Sequence, residues 1–166
     1  YDRRDVSGRS LANAYAQTLG SIFTETAKPY EVELVVAEVG GQASQDQIYR
    51  LTFDGSVADE HGYLAMGGQA DAIAEALGIR WRPGLALQEA VRAAVDALAV
   101  GSAEAPGPDQ LEAAVLERDR PRRTFRRLGA DRMAQLLGVP APGEPAPGVA
   151  ESPDAPASSE ASPQGE

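Results

Sequence analysis

The stretch from Tyr30 to Gly68 leaves this chain the fewest folding alternatives, because three extended runs follow one another there with connections too short for crossover helices. In the first, Glu31 to Val39, the acids Glu31 and Glu33 alternate with Val32, Leu34 and Val36, and the run then turns apolar on both faces through Val35, Ala37 and Val39. It starts near solvent and runs inward. Gly40 to Asp46 reads as a turn, and Gln47 to Phe53 returns with Tyr49, Leu51 and Phe53 on one face and Ile48, Arg50 and Thr52 on the other. Asp54-Gly55 is a strong hairpin signal and leads into a third run that ends at Tyr63-Leu64-Ala65-Met66 before Gly67-Gly68. The expectation is an antiparallel meander with a double-glycine exit.

Helices flank this meander in the sequence. Leu11, Ala14, Tyr15, Thr18, Leu19, Ile22 and Phe23 recur at helical spacing, with Asp5 or Ser7 placed to cap the start and Pro29 forbidding continuation beyond Lys28. Ala70, Ile73, Ala74 and Leu77 predict a short helix with Gly78 as its left-handed cap. Leu87, Ala90, Val91, Ala94, Val95 and Leu98 predict a longer one closed by Gly101. A second hairpin follows, with Leu111, Ala113 and Val115 alternating against Glu112, Ala114 and Leu116, a turn near Asp119-Arg120-Pro121, and Thr124 to Leu128 returning. Ala130 to Leu137 reads as a closing helix with Met133, Leu136 and Leu137 inward and Gly138 as its stop.

The fold class is therefore α+β, with antiparallel sheets covered by helices. Residues 1–138 form the domain, and 139–166, mostly Pro, Ala, Gly, Ser and acids, is expected to be a disordered acidic tail, since it has too little apolar surface to offset ordering. One burial problem stands out. Each buried aliphatic side chain contributes roughly 1.5–3 kcal/mol, so leaving the inner half of Glu31 to Val39 bare on one face would consume the stability of an ordinary domain. That face calls for a second sheet, supplied either by chain preceding Tyr1 or by an oligomeric partner. The absence of an initiating Met, and a helix opening so soon after Tyr1, point to a fragment or processed product.

Charge and composition narrow the function classes. A formal net charge of −10 argues against general affinity for nucleic acid or anionic membrane. There is no cysteine, hence no disulfide framework or thiolate metal site, and no apolar run or signal pattern at the start indicates membrane insertion or export. A soluble, cytoplasmic protein is expected.

Several motifs taken together resemble the α subunits of the actinobacterial 20S proteasome. They are Lys28-Pro29-Tyr30-Glu31-Val32 opening a strand, Ile48-Tyr49-Arg50-Leu51 before Asp54-Gly55-Ser56, and Tyr63-Leu64-Ala65-Met66-Gly67-Gly68 before a helix. Tyr1-Asp2-Arg3-Arg4-Asp5-Val6, the helix from Leu11 to Gly20, and Arg120-Pro121-Arg122-Arg123-Thr124-Phe125-Arg126-Arg127 are similar to the actinobacterial variant. Glu31 stands where most α subunits carry Gly. The resemblance covers most of Tyr1 to Gly138 and has no counterpart for the family's N-terminal portion, which holds the gate, the first strands and the pocket lysine for the activating ATPase. Lys28 matches the strand-opening motif and not that lysine.

What the resemblance implies is part of a four-layer αββα sandwich of the N-terminal-nucleophile hydrolase type, assembled as a homo-oligomeric, seven-membered α ring. Such a ring would stack on proteasome β subunits and receive substrates bearing a ubiquitin-like modifier from a ring-shaped ATPase. The role implied is non-catalytic, a gated antechamber wall. Rival readings are a self-contained N-terminal-nucleophile amidohydrolase of the same fold and, more remotely, a small binding module.

Chemistry in the residues themselves is sparse. An N-terminal nucleophile requires Thr, Ser or Cys at the terminus, and Tyr1 cannot serve. Asp59-Glu60-His61 could be read as a metal cluster, but neighbours on an extended segment point to opposite faces, so a solvated turn is the expectation. No phosphate-binding glycine motif or nucleophile elbow is present, and Gly67-Gly68 serves a tight strand-to-helix turn. Arg118, Arg120, Arg122, Arg123, Arg126 and Arg127 could contact nucleic acid, yet only Phe125 interleaves them, and ion pairs within the protein or at subunit interfaces are favoured. Trp81, between Arg80 and Arg82, is either locally packed or an interface anchor. No catalytic, cofactor-binding or metal-binding residue and no cofactor is expected.

Overall fold

The computed structural model describes residues 6–102, 104–120 and 124–140. Helix α1, Gly8–Glu25, is followed by strands β1 (Leu34–Glu38), β2 (Gln47–Leu51) and β3 (Val57–Glu60), helices α2 (Ala70–Arg80) and α3 (Leu87–Leu98), strands β4 (Ala113–Leu116) and β5 (Phe125–Leu128), and helix α4 (Ala130–Leu137). The α+β class with antiparallel sheets and flanking helices is as expected. β1, β2 and β3 form one antiparallel sheet in sequence order, and among the described residues β4 pairs only with β5, so the second hairpin makes a two-stranded sheet there.

Ser7 caps α1: its Oγ accepts the Ser10 N–H and the Ser10 Oγ accepts the Ser7 N–H, both at 3.1 Å. Glu38 reinforces that end from β1, its Oε2 accepting the Gly8 N–H at 2.6 Å where the helix dipole favours a negative charge. The helix meets the sheet through small residues. Ala12 and Leu19 are buried with Val36, Tyr49 and Leu51, and Ala16 and Leu34 pack against them.

The stripe expected to face inward is therefore partly turned out: Leu11 is 39% exposed and Tyr15 45%, with Ala14 and Thr18 also exposed. A close approach decides this orientation. Gly55, at the tip of the β2–β3 hairpin with φ +85°, lies against Gly20 and the Ala16 carbonyl, a separation that larger residues on that face of α1 would prevent.

Strand lengths follow from the available partners. The expected run Glu31 to Val39 is a strand only from Leu34, because Leu34 pairs with Leu51 and β2 then enters the turn at Thr52. Likewise β3 stops at Glu60, which lies beside Ile48, and the expected continuation through Tyr63 to Met66 is not strand. Beyond Gln47 the neighbouring chain is already the 3₁₀ turn Ala43–Gln45, and Gly62, at φ +84°, turns the chain away.

Gly78 does not cap α2, which runs through it to Arg80; a Cβ there would come within 2.4 Å of the Tyr63 hydroxyl, so the glycine provides room rather than a stop. α4 has the expected bounds and ends at the left-handed Gly138, whereas α3 stops short of the expected Gly101, at Leu98, with the right-handed Ala99 as its cap, and Gly101, at φ +79°, lies in the turn beyond. Their core joins Val95, Leu128, Met133 and Leu136, with Leu111, Ala113 and Val115 packed against it, while Leu98 turns outward. Of the expected tail only Val139 and Pro140 lie among the described residues.

Candidate functional site

Among the described residues no helix packs on the face of the three-stranded sheet opposite α1. The register places Val35, Arg50 and Ala58 in one row across that face and Ala37, Ile48 and Glu60 in the next. Val35 is 40% exposed and Ala37 is exposed as well, so the apolar face that the sequence predicts is bare in this chain.

A charged group sits in its middle. Arg50 Nη1 lies 3.5 Å from Glu33 Oε1, and its Nε lies 3.0 Å from Glu60 Oε1. The second approach lacks hydrogen-bond geometry, which leaves the shielded Nε–H without an acceptor. The two-stranded sheet repeats the pattern, with Ala114 beside Arg127 and Leu116 beside Phe125 on the side away from its core, Phe125 being 55% exposed.

Two arginines of the predicted run, Arg118 and Arg126, are committed to carboxylates. Arg118 grips Asp46 with a two-pronged contact, Nη1 to Oδ1 at 2.9 Å and Nη2 to Oδ2 at 2.8 Å, and donates to the Gly40 carbonyl. Arg126 pairs with Glu117. Hydrogen bonding from these arginines holds both the Asp46 and the Glu117 carboxyl below the usual carboxylate range, and the Asp46 bond raises Arg118 in turn. Arg122 and Arg123 lie outside the described residues.

Asp59, Glu60 and His61 are not drawn together. Asp59 shares the α1 side of the sheet with Tyr49, whereas Glu60 lies beside Ile48 on the open face, and among the described residues no group of three or more acids and histidines is placed to hold a metal ion. All three line a cleft of about 650 Å³ bounded by the turn Ala43 to Asp46 and by Trp81, Pro83 and Gly84. Trp81 is packed locally: its ring centroid lies 5.7 Å from that of Tyr63, and a Cβ on Gly62 would lie 2.7 Å from the indole. Its outer side remains open to solvent. Gly67 takes φ +105° at the turn into α2, as the double-glycine exit requires. Sequence reading passed over Arg50 and Asp46; the alternation of β2 places Arg50 on the apolar face, which was the available signal.

In comparison with known proteins, the proteasome subunit family matches residues 1–116. The chain belongs to the proteasome subunit family. Among similar proteins called proteasome subunit alpha, that of Kineococcus radiotolerans is 63% identical over 145 residues, covering 82% of this chain and 61% of the relative. That of Thermomonospora curvata is 64% identical over 138 residues, covering 82% and 60%, and that of Sanguibacter keddieii 53% over 156, covering 89% and 61%. The family is thus met in its actinobacterial α form, and these names lend nothing to the amidohydrolase alternative. The chain spans about 60% of the length of these curated relatives. No helix among the described residues is long and apolar enough to cross a membrane.

Proposed function

We propose that this chain is the C-terminal part of a non-catalytic α-ring subunit of a bacterial proteasome core, residues 1–138 belonging to the α-type domain and 139–166 to an acidic tail. The observation that carries the reading is the family match over residues 1–116 together with a sheet whose second face is apolar and bare. In a four-layer sandwich such a face lies between sheets, and burying its apolar side chains favours assembly. The work assigned to the subunit is mechanical: a homo-oligomeric ring of α chains forms the gated antechamber, stacks on β subunits that carry the threonine-type peptidase, and receives unfolded, tagged proteins from a ring-shaped ATPase in the cytoplasm. The chain itself supplies no nucleophile, metal or cofactor in this reading.

Co-expression of the full-length α gene product with its β subunit tests the proposal. The expected product is a large particle with peptidase activity that disappears when the β nucleophile is substituted. A monomeric α product that hydrolyses peptides or amides alone would overturn the assignment.

A further inference from the structure

The two hydrophobic cores share no residue, and each helix and strand packs mainly against elements of its own core. Few side chains cross from one to the other. Trp81 covers Gly62 on one side of the cleft, and on the other Arg118, just past the end of β4, reaches the turn between β1 and β2. We infer that Arg118 is a latch: its guanidinium, clamped on Asp46, holds the β1–β2 turn against the end of β4 and so fixes the spacing of the cleft between the two cores.

The turn is built to be held as one piece. Asp46 Oδ1 accepts the Gly40 N–H at 3.0 Å, so the carboxylate that Arg118 grips also closes the loop on itself. The Gln45 N–H bonds the Gln42 carbonyl at 2.9 Å and the Asp46 N–H the Ala43 carbonyl at 3.3 Å. At Gly40 a Cβ would fall 2.4 Å from the Gln45 Cβ and 2.8 Å from its carbonyl oxygen, so the closed loop leaves no room for a side chain there. Ala43 to Asp46 then line one part of the cleft of about 650 Å³, and Trp81, Pro83 and Gly84, attached to the other core, line another. The latched carboxylate is two-fifths exposed and the Arg118 side chain 29% exposed, so water competes for both partners and the latch opens and closes at small cost. Planar two-pronged geometry makes it specific for Arg.

Hydrogen exchange on the intact chain tests this directly. In Arg118→Ala the amides of Gln45 and Asp46 exchange about two- to fivefold faster, the range expected for losing a part-exposed ion pair, while β2 amides keep their rates. Arg118→Lys, which keeps charge and bulk but not the fork, falls between, and serves if the alanine variant does not fold. Unchanged rates at Gln45 and Asp46 in both single variants would overturn the latch, as would an equal rise across the whole chain, which marks a general brace.

Discussion

Replacing Gly55 by Ala separates two ways in which one glycine sustains the fold. Gly55 holds φ +85°, a region where a side chain costs about 1–2 kcal/mol, and its added Cβ would stand 2.6 Å from the Ala16 carbonyl oxygen and 2.8 Å from the Gly20 nitrogen. Those neighbours are helix backbone and cannot swing aside. Helix α1 must therefore lift from the hairpin, and overpacking of this kind costs about 1–3 kcal/mol more. Gly84 is the matched control: its φ is +79° but nothing lies within 4 Å of the added Cβ, so Gly84→Ala carries the conformational penalty alone. With urea slopes of about 1–3 kcal/mol per molar, the Gly55 variant should unfold at a midpoint about 1 M below the Gly84 variant. Equal midpoints would refute the close approach of α1 to the β2–β3 tip.

Three further outcomes follow from the same geometry. Leu51 is fully buried between α1 and the sheet, so Leu51→Ala should lower unfolding free energy by about 2–5 kcal/mol in denaturant titration. Ser7→Ala removes one half of the α1 cap and should cost about 1 kcal/mol, read by the same titration, with Ser7→Asp recovering most of it. Asp54 is held below its ordinary pKa by the Thr52 hydroxyl at 2.5 Å, the Ser56 N–H at 3.0 Å and the Ser56 hydroxyl at 3.0 Å. Because the folded value is the lower one, its stabilising effect is present above the ordinary carboxylate pKa and is lost as pH falls through the folded value. The urea midpoint should drop in acid, and Asp54→Asn should flatten part of that drop.

Where periodicity and partner supply coincide, the sequence is easy to read. α4 has an apolar stripe and a glycine stop, and its bounds agree with expectation residue for residue, while α3 follows its stripe from Leu87 to Leu98 but ends before Gly101. The meander was legible too, because Asp54-Gly55 fixes the hairpin and alternation fixes which side of β2 is buried. Its strand ends were not, since they depend on where the neighbouring strand runs out of residues to pair. α1 shows the limit most clearly. Its larger side chains at Leu11 and Tyr15 offer more surface to bury than Ala12 and Ala16, yet the small residues face the sheet, on the side where Gly55 approaches the Ala16 carbonyl and Gly20. Gly78 misled for a related reason, since a glycine that makes room and one that ends a helix look alike in a string of letters. For the candidate site, the bare face followed from counting apolar positions, whereas the grip of Arg118 on Asp46 joins residues 72 apart and leaves no local trace.

The partly exposed Arg50 guanidinium, with Glu33 and Glu60 beside it, makes the bare face selective about its covering. A purely oily surface laid over it would strip the remaining water from all three charged groups, a loss that their mutual attraction does not fully return. A surface that brings polar groups to the same spot escapes that loss. The greasy surround supplies the adhesion, and one small island of charge decides which covering is accepted.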